Sequence, residues 1–224
     1  MEYSDIRDRI LLATLPNVPF DGWSGKALRL GAESAGFDRE AADRAFPGGP
    51  AEAVGHFIDL ANRMMEADLG ARDLSGLKLP EKIHLAIKLR LERWAGDREA
   101  VRRGLALLSL PGHARLSLKS TYATVDGIWH AVGDRSVDFS FYTKRAELAA
   151  IYGATLLVWL EDTSEESAET WAFLDRRLEG VIRLRKARAK LRERMTHLPT
   201  LPRLLNPLDL VRKPFGLMRS MRMR

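Results

Sequence analysis

Apolar residues recur along this chain at the spacing of one helical face, and no run shows the alternation of a strand. SDIRDRILLAT sets Ile6, Ile10 and Leu11 on one stripe, before Pro16, Pro19 and Gly22 interrupt it. WSGKALRLGAESAG follows, with Trp23, Ala27, Leu30 and Ala35 near helical spacing, and a short DREAADRAF stops at PGGP, residues 47–50. AEAVGHFIDLANRMMEAD then carries Val54, Phe57, Ile58, Ala61 and Met65 on one face. EKIHLAIKLRLERWAG carries Ile83, Ile87, Leu91 and Trp94, and DREAVRRGLALLSL runs to Pro111-Gly112. Residues 115–132 are apolar on one side. FSFYTKRAELAAIYGATLLVWL, residues 139–160, is apolar nearly all round its middle, the pattern of a central or dimer-forming helix. A last helix opens near Glu165-Glu166 and turns Trp171, Leu174, Leu178 and Val181 inward. Beyond Leu184 its stripe becomes Arg185, Arg188 and Arg192, where burial is expected to end. The pattern predicts an all-α fold without repeats.

Composition narrows the function classes. With 224 residues, 46% of them hydrophobic, the chain has enough for one packed domain, with or without a tail. It has no cysteine, which removes disulfides, thiolate metal sites and cysteine nucleophiles together. Its first residues, MEYSDIRDRI, lack the basic and apolar regions of a secretory signal, and no run approaches the length of a spanning helix. Charge is split along the chain. Residues 171–224 hold 15 Lys and Arg against 4 Asp and Glu, while residues 1–170 hold 21 against 26. The basic character therefore belongs to the last quarter, which suggests a polyanionic partner there.

Residues 22–60 resemble the N-terminal module of TetR-type proteins. Gly22 is expected to open a helix, Gly36 to sit in the turn, and a short second helix to end at Phe46-Pro47 before a longer one. The charge opposes DNA reading. The would-be recognition helix sets Asp38, Glu40 and Asp43 against Arg39 and Arg44, and residues 1–60 carry 6 basic against 10 acidic residues. Duplex binding draws its affinity from neutralised phosphates, so the module is read as a scaffold, without a nucleic-acid partner.

The stretch IWHAVGDRSVDFSFYTKR, residues 128–145, holds the candidate chemistry. His130, Asp134 and Asp138 are spaced at i, i+4 and i+8, a possible acid/base or metal-ligand set on an unbroken helix. Gly133 divides them, and GDRS has the composition of a turn that caps the next helix. The other histidines stand alone in the sequence, and no HExxH, P-loop or nucleophile elbow occurs. The reading is therefore no catalytic residue, no metal and no cofactor. An enzyme acting through His130 and Asp134 is the rival, as is a ligand-responsive TetR-type regulator. Phe139, Phe141 and Tyr142 are crowded into a single helical turn, and spacing leaves two readings open: an outward aromatic beside Arg145 as an interaction patch, or all three as core or dimer contacts.

AVRRGLALLSLP, IWHAVGDRSVDFSFYTKRAELAAIYGATLLVWLED and WAFLDRRL resemble the ubiquinone-biosynthesis accessory lipid-binding proteins, the Coq nine family, from about residue 4 to residue 184. The resemblance implies a TetR-like, dimeric, non-enzymatic protein. Such a protein binds isoprenoid lipid in an apolar pocket and presents a demethoxyquinone precursor to its ring hydroxylase. It implies a partner surface at Asp126, Phe141, Tyr142 and Arg145. Many members carry Trp where this chain has Phe141, which keeps aromatic area but loses the indole N–H. Leu107, Leu108, Trp129, Phe141, Tyr142, Leu148 and Tyr152 are expected to contact the lipid.

The family's members end in a membrane-touching amphipathic helix, and RLLNPLDLVRKPFGLMRSMRMR has the pattern of one. Leu204, Leu208, Val211, Phe215 and Met218 make one apolar stripe, with Arg212 and Arg219 at its margins. Pro214 divides it into two short pieces. The predicted organisation is a helix-turn-helix-like module at 1–62, a lipid-binding and dimerisation region at 63–195 and a membrane-contact tail at 196–224. The expected location is cytoplasmic, peripheral on the inner face of the cytoplasmic membrane.

Overall fold

The computed structural model describes residues 3–133 and 140–196, with side chains from 5–133 and 142–184 and those of Ala187 and Lys190. Every regular element among them is helical: α1 (Tyr3–Thr14), α2 (Val18–Asp21), α3 (Gly25–Ser34), α4 (Glu40–Ala45), α5 (Gly49–Gly70), α6 (Leu79–Glu92), α7 (Arg98–Leu108), α8 (Ala114–Ala131), α9 (Ser140–Glu161) and α10 (Ala168–Thr196). Local chemistry sets the helix starts. The Ser24 hydroxyl accepts from the Ala27 N–H, the Asp38 carboxylate accepts from the Ala41 N–H at 2.7 Å, and Glu52 reaches back to the Gly48 N–H at 2.7 Å. Each pairs a backbone donor that the first helical turn leaves over. Gly22 adopts φ +65° but closes α2, and Ser24 begins α3. Gly36, at φ +83°, makes the turn between α3 and α4, a conformation that side-chain-bearing residues rarely adopt.

Two compact units divide at Ile182/Arg183. In the first, α1 packs along α3, and α4 closes on both. The α3 face that meets α1 runs through Ala27, Leu28, Gly31 and Ala32, one step from the Leu30 and Ala35 stripe read from the sequence. The phase shifts because Gly31 belongs to the buried face. A Cβ there would lie 2.9 Å from the Ile10 carbonyl oxygen and from the Thr14 Cα, so only glycine permits this approach. The long α5 leaves the module and packs along α8, with α6 beside it and α9 against α8. The boundary drawn at residue 62 falls inside α5.

One continuous core holds the unit together, from Ile10, Leu11 and Val18 through Leu60, Met65 and Ile87 to Ile128, Trp159 and Leu174. Trp23 links the N-terminal helices to α5 and α7. The indole N–H donates to the Ala100 carbonyl at 2.9 Å, and the ring meets Phe57, which in turn meets Trp94 edge-on at 4.7 Å.

Candidate functional site

The helices α5, α6, α7, α8 and the second half of α9 enclose a cavity. Its whole void is about 710 Å³, including the part open to solvent. Phe57, Leu91, Trp94, Leu105, Leu156 and Trp159 make much of an apolar wall. The wall presented by α8 is different. Ser117, Ser120, Thr121 and Thr124 lie at i, i+3, i+4 and i+7, so one helical stripe carries four hydroxyl groups into the lining.

Arg90 stands in this lining and is only 7% exposed. It occupies the buried face of α6 with Ile83, Ala86, Ile87 and Leu91, where the 3.6-residue period calls for an apolar residue. Its Nε donates to Asn62 Oδ1 at 2.9 Å, one terminal nitrogen donates to the Tyr152 hydroxyl at 2.6 Å, and the other to Thr124 Oγ1 at 3.4 Å. All three partners are neutral, and among the described residues no carboxylate pairs with it. Burial pushes the Tyr152 hydroxyl above the usual phenol range, against the pull of Arg90, so the ring stays protonated at neutral pH.

The residues expected to touch lipid divide into three groups. Leu108 and Tyr152 line the cavity. Leu107, Trp129 and Leu148 are packed with the core and lie outside the lining, because the cavity meets α9 through Tyr152, Leu156 and Trp159, a turn beyond Leu148. Tyr142 is 73% exposed, on the surface rather than in the cavity. The Phe141 side chain, and the whole run from Leu204 through Leu208, Val211, Arg212, Phe215 and Met218 to Arg219, lie outside the described residues.

The structure does bring the predicted surface residues Asp126 and Arg145 together. Arg145 Nε donates to Asp126 Oδ1 at 2.8 Å and a terminal nitrogen reaches the same oxygen at 2.5 Å, tying α9 to α8. Tyr142 lies one turn before Arg145 on α9. Of the candidate catalytic groups, His130 is exposed, and Asp134 and Asp138 fall outside the described residues. Two histidines that look isolated along the chain are paired in space: His56 Nε2 lies 2.7 Å from Asp8 and His84 Nδ1 lies 2.6 Å from Asp175. Burial lowers the His56 pKa while the Asp8 carboxylate opposes it. No group of three or more metal-ligating side chains occurs among the described residues.

Sequence reasoning missed Arg90, Asn62 and the α8 hydroxyl stripe. Two signals were present: a charge inside an apolar face at residues 83–94, and small hydroxyl residues repeating at helical spacing over 117–124.

Comparison with known proteins fits this architecture. The COQ9 family matches residues 114–185, which span α8 and α9 and reach into α10. The mitochondrial ubiquinone biosynthesis protein COQ9 of Homo sapiens is 34% identical over 186 residues, covering 80% of this chain and 58% of the human protein. The proteins of that name from Drosophila melanogaster and Xenopus tropicalis are 35% and 38% identical, covering 86% and 77% of this chain and 60% and 56% of their own lengths. The chain thus spans about three-fifths of the length of these relatives. The crystal structure of a TetR transcriptional regulator from Nitrosomonas europaea superposes with a TM-score of 0.64 at 21% identity, covering 78% of this chain and 97% of that one, so the fold is TetR-like. Residues 114–185 thus carry a COQ9 domain, and the similarity to COQ9 proteins runs over most of this chain.

Proposed function

We propose that this chain is a non-enzymatic accessory protein of ubiquinone biosynthesis, which holds an isoprenoid lipid in the cavity and presents it to a quinone-ring hydroxylase. The observation that carries the reading is the amphipathic cavity, with an aliphatic and aromatic wall facing hydroxyl groups and one buried guanidinium. An isoprenoid tail gains by leaving water for the apolar wall, and a polar ring finds hydrogen bonds on the other side. The relatives are named for ubiquinone biosynthesis, which supports the pathway. Asp126, Phe141, Tyr142 and Arg145 form the surface offered to the hydroxylase, and a homodimer resting on a membrane through residues 203–224 completes the reading.

A TetR-type regulator is the less favoured reading. Arg29, Arg39 and Arg44, the cations of the helix-turn-helix module that a phosphate backbone would need, pair with Asp43, Glu33 and Asp38. Organic extraction of the protein purified without detergent, followed by mass spectrometry, tests the lipid reading. A prenylated quinone or quinone precursor recovered near one per chain is expected. An empty extract, together with no uptake of added isoprenoid quinone, counts against it.

A further inference from the structure

Among the described residues, some buried donors of the cavity lining meet no acceptor. A guanidinium has five N–H groups, and Arg90 uses three of them on Asn62, Tyr152 and Thr124. The Tyr152 oxygen accepts from Arg90, which leaves its own hydrogen to donate. Trp94 and Trp159 also line the cavity, and their buried indole N–H groups meet no acceptor among the described residues. Around Arg90 the positive charge is buried among neutral groups and an aromatic ring, Tyr152, whose centroid is 5.2 Å away. A buried cation without an anion and buried donors without acceptors are both costly arrangements. A ligand bringing acceptor oxygens relieves both at once. A ligand bringing further O–H groups relieves them less, because each added donor also needs an acceptor.

We propose that Arg90 is the head-group receptor of this cavity, and that it selects amphiphiles whose head accepts hydrogen bonds and offers none. Two heads share that chemistry, a quinone with its carbonyl pair and a carboxylate. The head lies against Arg90, and the tail follows Phe57, Leu105 and Leu156. This rests on the lipid-cavity reading and adds to it the chemistry of the head; for a quinone ligand, the form carried is the oxidised quinone rather than its hydroquinone.

Four ligands with the same decyl tail test the inference by calorimetry under anaerobic conditions: a benzoquinone, its hydroquinone, a carboxylate and a primary alcohol. In the wild-type chain the quinone, the carboxylate or both are expected to bind about tenfold more tightly than the hydroquinone and the alcohol, the size of a hydrogen bond to a charged group. Preference for the carboxylate identifies an acid as the ligand, and preference for the quinone identifies the quinone. Arg90→Met, whose side chain loses the charge, is expected to erase the preference, so that the four ligands bind alike. Equal affinities for all four heads in the wild-type chain overturn the inference without needing any variant. A preference that survives in folded Arg90→Met overturns it too. In either case continued quinone binding leaves the lipid-cavity reading standing, whereas binding of none of the four counts against that reading as well.

Discussion

Tyr142 and Arg145 lie one turn apart on α9 and do different work. Arg145 is nearly buried and grips Asp126 through two donors, so it fixes the position of the α8–α9 surface. Tyr142 is 73% exposed and contributes little apolar burial to the core. A residue placed this way is a candidate anchor for a partner, since tyrosine brings large contact area at low entropic cost. Tyr142→Lys is therefore expected to leave the unfolding midpoint in urea nearly unchanged, within about 0.5 kcal/mol. It is expected to weaken capture of the proposed hydroxylase partner by roughly tenfold or more, on the scale of a hot-spot truncation. A large loss of stability would show that the ring is structural, and unchanged capture would remove it from the partner surface. The aromatic-plus-cation pattern was visible in the sequence at these positions. Arg90 was not recognised, because a lone arginine between Ile87 and Leu91 gains its meaning only when Asn62, Thr124 and Tyr152 arrive from three other helices.

At the scale of elements, the start of α10 is held by a single carboxylate. Asp162 Oδ1 accepts from the Ser164 N–H and Oδ2 from the Thr170 N–H, each at 2.8 Å, and both hydroxyls add further bonds. Arg98 joins the same corner through the Asp162 carbonyl and the Ser167 hydroxyl, with its guanidinium 4.7 Å from the Trp159 ring centroid. Glu166 and Ser167 sit at φ +50° and +59°, a left-handed turn that these bonds hold in place. Burial would raise the Asp162 pKa, but the hydrogen bonds from Ser164 and Thr170 outweigh it and hold the carboxyl at about 2. A carboxyl depressed in the folded state stabilises it above the unfolded value of 3.8, and that contribution is lost as pH falls toward 2. The thermal midpoint is expected to drop across pH 4 to 2, and Asp162→Asn to be less stable at pH 7 with a flatter acid limb, both read from melting curves. An identical acid limb in the variant would assign the loss to other carboxylates. The helices themselves were legible, with bounds within a few residues, because proline and glycine punctuate a clear 3.6-residue period. The cavity lining was less so. Periodicity shows which face is inward, and Leu148 and Tyr152 share one, but only packing separates a filled interior from a hollow one.

The whole molecule combines a donor-rich cavity with a marked separation of charge. No helix among the described residues is long and apolar enough to cross a membrane. The proposed contact with a bilayer falls where the sequence concentrates its basic residues, in the last quarter of the chain. Residues 203–224 carry Arg203, Arg212, Lys213, Arg219, Arg222 and Arg224 with a single acid, Asp209, around the apolar stripe expected from Leu204 to Met218. Each basic residue near an anionic surface contributes about 1 kcal/mol, and an apolar stripe adds the burial of its side chains in the interface. The two contributions differ in how they respond to salt, because electrostatic attraction is screened within a Debye length while apolar burial is not. The intact chain is expected to bind vesicles containing phosphatidylserine and to lose only part of that binding when salt is raised. A chain ending at residue 202 is expected to lose the binding, while still taking up a decyl quinone from solution, since the cavity is built from residues 54–159. Vesicle flotation reads the first quantity and calorimetry the second. Binding that survives the truncation unchanged would move the membrane contact elsewhere on the chain. Loss of both together would tie the tail to ligand uptake, so that the lipid reaches Arg90 only from a membrane-bound state.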